Sequence, residues 1–403
     1  MALVSLKRLL FASIHGYVDP SSGAAWASRD VLELMAARGV ECRAITPGLL
    51  SYERETSAEE ILKPLGVPIR KAALMAGIDS ADALEFDLGG VGVTLVPTAS
   101  SRAERFDDPV EIKDFLGRTA RLIDEFRPQV LLTYGGHPAN LALMKLARER
   151  DVSVVFHLHN LAYPSRSTFE HATAVLVPSE YCRRHYLQKL SLESTVIPSP
   201  LIPERMVAPV RDPRYVTFIN PQLSKGAAVV ARIAFELHHR RPEIPLLIVE
   251  GRGAADALTT VRLDLSELRN LNRLPNLPNP RAIYRLTRVL LVPSLVRETF
   301  GRVAAEGLAN GIPVLASDRG ALPETLGDAG FVFTPPDRCT PNSVEPPTAH
   351  EVAPWVATIE RLWDDPSWET AHQERARLES RRWDPDFVAD QYLSFFTAHG
   401  RRD

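Results

Sequence analysis

Short apolar runs alternate with longer stretches whose apolar positions recur every three or four residues, almost from end to end. The run "RLLFAS" leads through a Gly-containing loop to "AAWASRDVLELMAARG", where helical spacing ends at Gly39. Then follow "VECRAIT", "VGVTLVP", "TARLIDEFRPQVLLTYGG", "NLALMKLARERDVSVVFHLHN", "HATAVLVPS" and "STVIPSP". Continuous apolar runs joined by helical segments predict βαβ units, and so a parallel sheet covered by helices on both faces. Right-handed crossovers leave the strand ends along one edge, where loops can build a site.

Residues 198–214, "PSPLIPERMVAPVRDPR", carry five prolines and no periodicity, and read as a connection between domains. Beyond it the rhythm restarts with "YVTFI", "GAAVVARIAFELHHRRP", "IPLLIVEG", "RAIYRLTRVLLVPS", "IPVLAS" and "AGFVF". The expected architecture is α/β, with two Rossmann-like doubly wound parallel-sheet domains over 1–205 and 206–384. The last helical stretches run from about Trp355 to Thr397, and a helix near 385–403 is expected to join the first domain. The Pro-rich segment "TPPDRCTPNSVEPPTAHEVAPW" reads as an irregular surface loop. The two halves share a rhythm but no repeated sequence.

Composition narrows the class without naming it. A chain of 403 residues is too long for one ordinary core, which agrees with two domains. A net charge of -3 gives no sign of a nucleic-acid surface, and no apolar run is long enough to span a bilayer. The start, "MALVSLKRLLFASIHGYVDP", lacks a clear small-residue cleavage site and reads as a buried strand rather than a signal peptide. Cys42, Cys182 and Cys339 form neither a metal spacing nor a disulfide framework, as in a reducing cytosol.

The chemistry gathers in "ETFGRVAAE", residues 298–306, just after "VLLVPS". A helix is expected to begin near Gly301 and to end at Gly311. That puts Glu298 in the preceding loop and Glu306 more than one turn inside. A carboxylate is costly to bury unpaired. The amides of Phe300, Gly301 and Arg302 would be donors at a positive helix end, which suits a phosphate. Two acids flanking such an anion site would be satisfied by a sugar nucleotide rather than by protein.

"ETFGRVAAE" resembles the E-x7-E motif of retaining GT-B glycosyltransferases, the family 4-like "glycosyl transferases group 1", which includes sucrose-phosphate synthases and bacterial phosphatidylinositol mannosyltransferases. The surroundings through "GIPVLAS" and "GALPE" are similar too, and the likeness is specific mainly over 215–333. It implies a UDP- or GDP-sugar donor bound mainly by the second domain and an acceptor bound mainly by the first. Glu306 would bind the ribose, and Glu298 the transferred sugar or its phosphate surroundings. Thr299, the Phe300 and Gly301 amides and Arg302 would complete the donor site. In "INPQLSKGAAVVARIA", Lys225 matches the family's diphosphate-binding lysine, while Asn220 stands where the family has arginine. Losing that cation weakens support of the leaving diphosphate; Arg302 or Arg252 could compensate.

In the first half, Gly23, followed by Ala24, sits where the family's glycine loop approaches the donor phosphate. His159 matches the histidine that faces the donor sugar, and its strand mate His157 reads as a core or surface residue. "YGGHPAN" at 134–140 reads as part of the acceptor pocket, together with the polar region 51–110. The resemblance implies catalysis by Glu298, His159 and Lys225 with retention at the anomeric carbon. The departing diphosphate would itself take the acceptor's proton, so neither a metal nor a cofactor is expected. Partners are then a nucleotide sugar and a small-molecule, glycan or lipid acceptor, with no nucleic acid. The expected location is the cytoplasm, peripheral to a membrane if the acceptor is a lipid. Two other readings stand beside it: a non-catalytic GT-B binding partner, which Asn220 favours, and a sugar-nucleotide 2-epimerase. A nicotinamide oxidoreductase lacks its G-x-G-x-x-G after a strand.

Overall fold

The computed structural model describes residues 5–50, 55–72, 82–251, 255–275, 277 and 279–400. It divides into two compact units, Met1–Pro178 with Arg183–Pro200 and Pro385–Asp403, and Ser179–Cys182 with Leu201–Asp384.

Among the described residues, the first unit is built on nine strands: β1 Arg8–Ala12, β2 Glu41–Pro47, β3 Arg70–Ala72, β4 Ala83–Leu88, β5 Val91–Val96, β6 Val130–Thr133, β7 Ser153–His157, β8 Ala174–Val177 and β9 Thr195–Val196. Their order is β3-β4-β5-β2-β1-β6-β7-β8-β9. The central pairs are parallel, as the apolar runs predict, and β6, β7 and β1 are buried almost throughout. One edge departs from that pattern, because β3, β4 and β5 pair antiparallel. Leu88 pairs with Val91 across Gly89 and Gly90, both at positive φ, which is the two-residue hairpin turn that Gly-Gly favours. The helix Pro385–His399 belongs to this unit and buries Val388, Tyr392 and Phe396 in its core.

The second unit holds β10 Tyr215–Ile219, β11 Leu246–Val249, β12 Leu271–Leu274, β13 Thr287–Val292, β14 Val314–Ser317 and β15 Phe331–Phe333. All its pairs are parallel, in the order β12-β11-β10-β13-β14-β15. The chain winds outward one way from β10 and then the other way from β13. Ligands of such sheets bind outside the carboxyl ends of the strands where the winding reverses, here those of β10 and β13.

Two expectations need correcting. The helix placed from about Trp355 begins at Ala349, where a capping box pairs the Thr348 side chain with the Glu351 amide and the Glu351 carboxylate with the Thr348 amide. Pro354 lies inside it, in the second turn, where its missing N–H forfeits one bond of an end already well capped. The segment 198–214 is not wholly irregular, since Pro203–Met206 forms a helical turn. The three cysteines are free and buried, and burial pushes the Cys42 and Cys182 thiols up to about 12, far from a reactive thiolate.

Candidate functional site

Strand β10 delivers the chain to Asn220, whose backbone is left-handed at φ 62°. Its amide donates to the Val249 carbonyl at 2.8 Å, and its own carbonyl accepts from the Gln222 amide at 2.7 Å. Asparagine tolerates this conformation better than most side chains. Position 220 thus has a backbone reason to carry asparagine. Arg252, one suggested substitute for the missing cation, lies outside the described residues.

A single 3-10 turn, Leu223–Lys225, follows, and Gly226 at φ 93° opens the helix Ala227–Arg240. The Ser224 carbonyl accepts from the Leu295 and Val296 amides at 2.9 and 3.2 Å, which stitches this loop to the one after β13. The Ser317 hydroxyl, from the end of β14, donates to the Ser294 carbonyl at 2.6 Å and fixes that second loop.

Those backbone bonds bring Lys225 to Glu298. The ammonium lies 2.6 Å from Glu298 Oε1, and the Ser294 hydroxyl donates to the same oxygen at 2.9 Å. The pair is partly exposed, 32% for the lysine side chain and 19% for the glutamate, so solvent reaches it. The backbone of Glu298 bridges to Gly320, and its carbonyl accepts from the Ala321 amide at 2.8 Å. Gly320 has φ 71°, and an added Cβ would run into the Glu298 backbone. Only glycine lets the "DRGALPE" turn come this close.

The next helix, Arg302–Ala309, opens on Gly301 at φ 85°, and no side chain caps its N-terminus. The helix Ala227–Arg240, which starts two residues after Lys225, likewise has no side-chain cap. Two positive helix ends thus flank the Lys225–Glu298 pair in sequence. Inside the second helix, Glu306 Oε1 accepts from Arg302 Nε at 2.7 Å and Oε2 from the Tyr284 hydroxyl at 2.6 Å. Burial pushes the Tyr284 phenol well above its ordinary range, and the neighbouring Glu306 charge pushes the same way. Tyr284 is therefore a permanent donor.

The expectation that both acids wait for a ligand is thus corrected. Protein donors hold Glu298 through Lys225 and Ser294, and Glu306 through Arg302 and Tyr284. Arg302, expected at the phosphates, spends its Nε on Glu306. The Phe300 ring is core rather than site, 7% exposed and edge-on to Trp383 at 5.6 Å. The Thr299 carbonyl accepts from the Ser179 hydroxyl at 2.6 Å. Glu324 of "GALPE" accepts from the Glu180 and Tyr181 amides, both at 2.8 Å, so this acid caps a segment instead of facing the pair.

In the first unit the winding reverses at β1 and β6. Ser13 donates to the Tyr134 carbonyl, and the Ile14 amide to Asn140 Oδ1, tying those strand ends together. Tyr134 stacks on His15 at 5.1 Å and meets the edge of His159 at the same distance. His157 and His159 lie on one face with ring centroids 4.0 Å apart, as their two-residue spacing implies. His157 is fully buried, with Tyr392 Oη 3.4 Å from Nε2, and burial lowers its pKa to about 3. It is a neutral core histidine. His159 is only partly buried. The His137 ring of "YGGHPAN" caps a helix by accepting from the Ala139 amide at 3.1 Å. Gly23 opens the helix Gly23–Ala37, and a Cβ added there would meet nothing within 4 Å.

Four contributors escaped the sequence reading: Tyr284, Ser294, Gly320 and His15. Tyr284 stood in "RAIYRLTRVLLVPS" as one more apolar-helix residue, and a hydroxyl has no periodicity to betray it. Gly320 carried a signal, a glycine in a turn between two motif segments. Among the described residues, no group of three or more His, Cys, Asp or Glu side chains could hold a metal ion, and no helix is long and apolar enough to cross a membrane.

Residues 22–199 match the family described as glycosyl transferase 4-like domain, and residues 214–341 that of glycosyl transferases group 1. The D-inositol 3-phosphate glycosyltransferase of Corynebacterium aurimucosum is 29% identical over 163 residues, 38% of this chain and 35% of that protein. The phosphatidyl-myo-inositol mannosyltransferase of Mycolicibacterium smegmatis is 29% identical over 221 residues, 50% of this chain and 57% of the relative. The chain thus spans about a third to just over half the length of these relatives. Among solved structures, Anabaena Alr3699/HepE in complex with UDP superposes with a TM-score of 0.67 at 15% identity, over 98% of this chain and all of its own. The sucrose-phosphate synthase of Thermosynechococcus elongatus gives 0.66 at 15% identity, over 97% of this chain and all of its own. These likenesses show a shared GT-B fold. The two family matches, one over each unit, place the chain in the glycosyl transferases group 1, family 4-like.

Proposed function

We propose that this protein transfers a sugar from a nucleoside-diphosphate sugar, UDP- or GDP-linked, to an acceptor hydroxyl with retention and without a metal. The observation that carries this reading is the placement of Lys225, Glu298 and Glu306 at the winding reversal of the second sheet, beside two helix starts without side-chain caps. A ribose diol donates to Glu306, which already has two protein donors but keeps further lone pairs on both oxygens. The diphosphate draws on Lys225 and the helix amides. An ion pair this exposed is worth roughly 0–1 kcal/mol net, so a doubly charged phosphate can take the lysine and leave Glu298 for the hydroxyls of the sugar. In the first unit we assign His159 to the reacting sugar. Catalysis is then positioning and electrostatic support of the leaving diphosphate. The named relatives make an inositol phosphate or a phosphatidylinositol the first acceptors to assay.

Thermal unfolding with UDP, GDP, ADP and dTDP, repeated in Glu306→Ala, tests the reading. A nucleotide at about 100 times its dissociation constant adds roughly 2.7 kcal/mol, a rise of roughly 5–10 °C for a unit near 200 residues. One nucleotide is expected to raise the transition, with the effect lost in the variant. No shift with any of the four defeats the reading. Asn220 supports a second reading, a binding protein without transferase activity; nucleotide binding with no sugar transferred to any acceptor tried would favour it. Conversion of a UDP-sugar to its 2-epimer without acceptor would instead identify an epimerase.

A further inference from the structure

Glu306 is the one acid of the donor site whose two oxygens are engaged from different elements. Arg302 belongs to its own helix, one turn back. Tyr284 comes from a different helix, Pro280–Leu286, which precedes β13 in the chain. The tyrosine is 1% exposed, packed in a core cluster with Phe300, Ala305 and Leu308. A tyrosine in such a place normally finds a hydrogen-bond partner, and it could have found a backbone carbonyl. Its hydroxyl instead reaches a carboxylate that stays 12% exposed.

The consequence is geometric. One donor on each oxygen fixes the plane of the carboxylate, because rotation about its last bond would break both contacts. Without Tyr284, only the flexible i,i+4 arginine would hold Glu306, and a pair of that kind is worth no more than about 0.5 kcal/mol. A ribose presents two vicinal hydroxyls at a fixed spacing, and a carboxylate held in one plane can accept both.

We propose that Tyr284 is a positioning residue that orients Glu306 toward the ribose diol and so makes the donor site selective for ribonucleotides over 2′-deoxyribonucleotides. This rests on Glu306 binding the ribose. It adds a residue and a selectivity that neither the E-x7-E spacing nor the helix start contains. The phenol remains protonated across any working pH, because burial and the Glu306 charge both oppose its ionisation. Its donation is therefore constant.

The test is calorimetric titration of the full chain with the ribo and 2′-deoxy forms of UDP, GDP and ADP, in the wild type, Tyr284→Phe, Glu306→Gln and the double variant. Phenylalanine keeps the ring and the packing and removes one donor. For the nucleotide that binds, the wild type is expected to favour the ribo form by about tenfold or more. Tyr284→Phe is expected to lose about 5–10-fold on the ribo form and less than about twofold on the deoxy form, within the range of one ordinary hydrogen bond. In the double variant Tyr284→Phe should add nothing to the loss from Glu306→Gln. A tyrosine that merely packs would leave the ribo-to-deoxy ratio unchanged, or lower both affinities equally, and either result overturns the proposal while the donor site stands. A wild type that binds both forms equally also overturns it. A wild type that binds no ribonucleotide removes the donor-site reading and this inference with it.

Discussion

Two residues show how backbone geometry and burial set the chemistry. Gly320 holds the main chain of Glu298, and its own backbone is left-handed. Gly320→Ala is expected to cost at least about 1–2 kcal/mol from the backbone alone, and more because the new Cβ meets the Glu298 backbone. A lower denaturant midpoint, together with a smaller nucleotide-induced thermal shift, checks it; an unchanged shift would separate the turn from the site. His157 has a folded pKa near 3, against about 6.5 for an unperturbed histidine. Between those values the unfolded chain binds the proton and the folded chain refuses it. Its contribution is full above about pH 6.5 and is lost as pH falls toward 3, at up to about 1.4 kcal/mol per pH unit. Other groups titrate in the same range, so the comparison is with His157→Gln. The variant's unfolding free energy should depend less steeply on pH below 6.5, by up to one proton.

Elements explain why Lys225 and Glu298 meet although 73 residues separate them. Strands β10 and β13 are neighbours and parallel, so the loops at their carboxyl ends leave the sheet side by side. The Ser224 carbonyl then locks one loop to the other. The terminal helix Pro385–His399 does comparable work in the first unit. Arg38 bonds to Asp386 at 2.9 Å and to Asp390, and Tyr392 and Phe396 are fully buried. Burying one such side chain is worth about 1.5–3 kcal/mol, and the helix also buries Val388 and Ala389 and nearly buries Phe395. Their sum approaches the whole stability of an ordinary domain, about 5–15 kcal/mol. A chain ended at Asp384 is therefore expected to lose the cooperative unfolding of the first unit, seen by circular dichroism as a missing transition. The residues assigned to the nucleotide in the second unit, Lys225 and Glu306, lie in 201–384, so the nucleotide shift of that unit should survive. An intact first transition would show that the terminal helix is dispensable.

For the molecule as a whole, the alternation of apolar runs and helical segments made the α/β class and the parallel sheets legible, because a strand buried on both faces leaves an uninterrupted apolar signature. The same signature failed at the β3–β4–β5 edge, where partly exposed strands alternate in "ALEFDL" and only Gly89-Gly90 marked the hairpin. The helix at Thr348 was hidden by Pro354, a residue that ordinarily ends one. The spacing of Glu298 and Glu306 was legible because both lie in one continuous segment around a helix start. Of their partners, only Arg302 lay in that segment. Lys225 emerged from resemblance, and Tyr284 and Ser294 had no mark at all. Local sequence determined the elements, the helix starts and the two acids, since those depend on periodicity, glycine and chain direction over a few residues. Tertiary structure alone decided that the acids are held by protein donors, that Asn220 sits in a left-handed turn, and that His157 is a neutral core residue. Each of these depends on groups brought together from distant parts of the chain, and no local pattern records such a meeting.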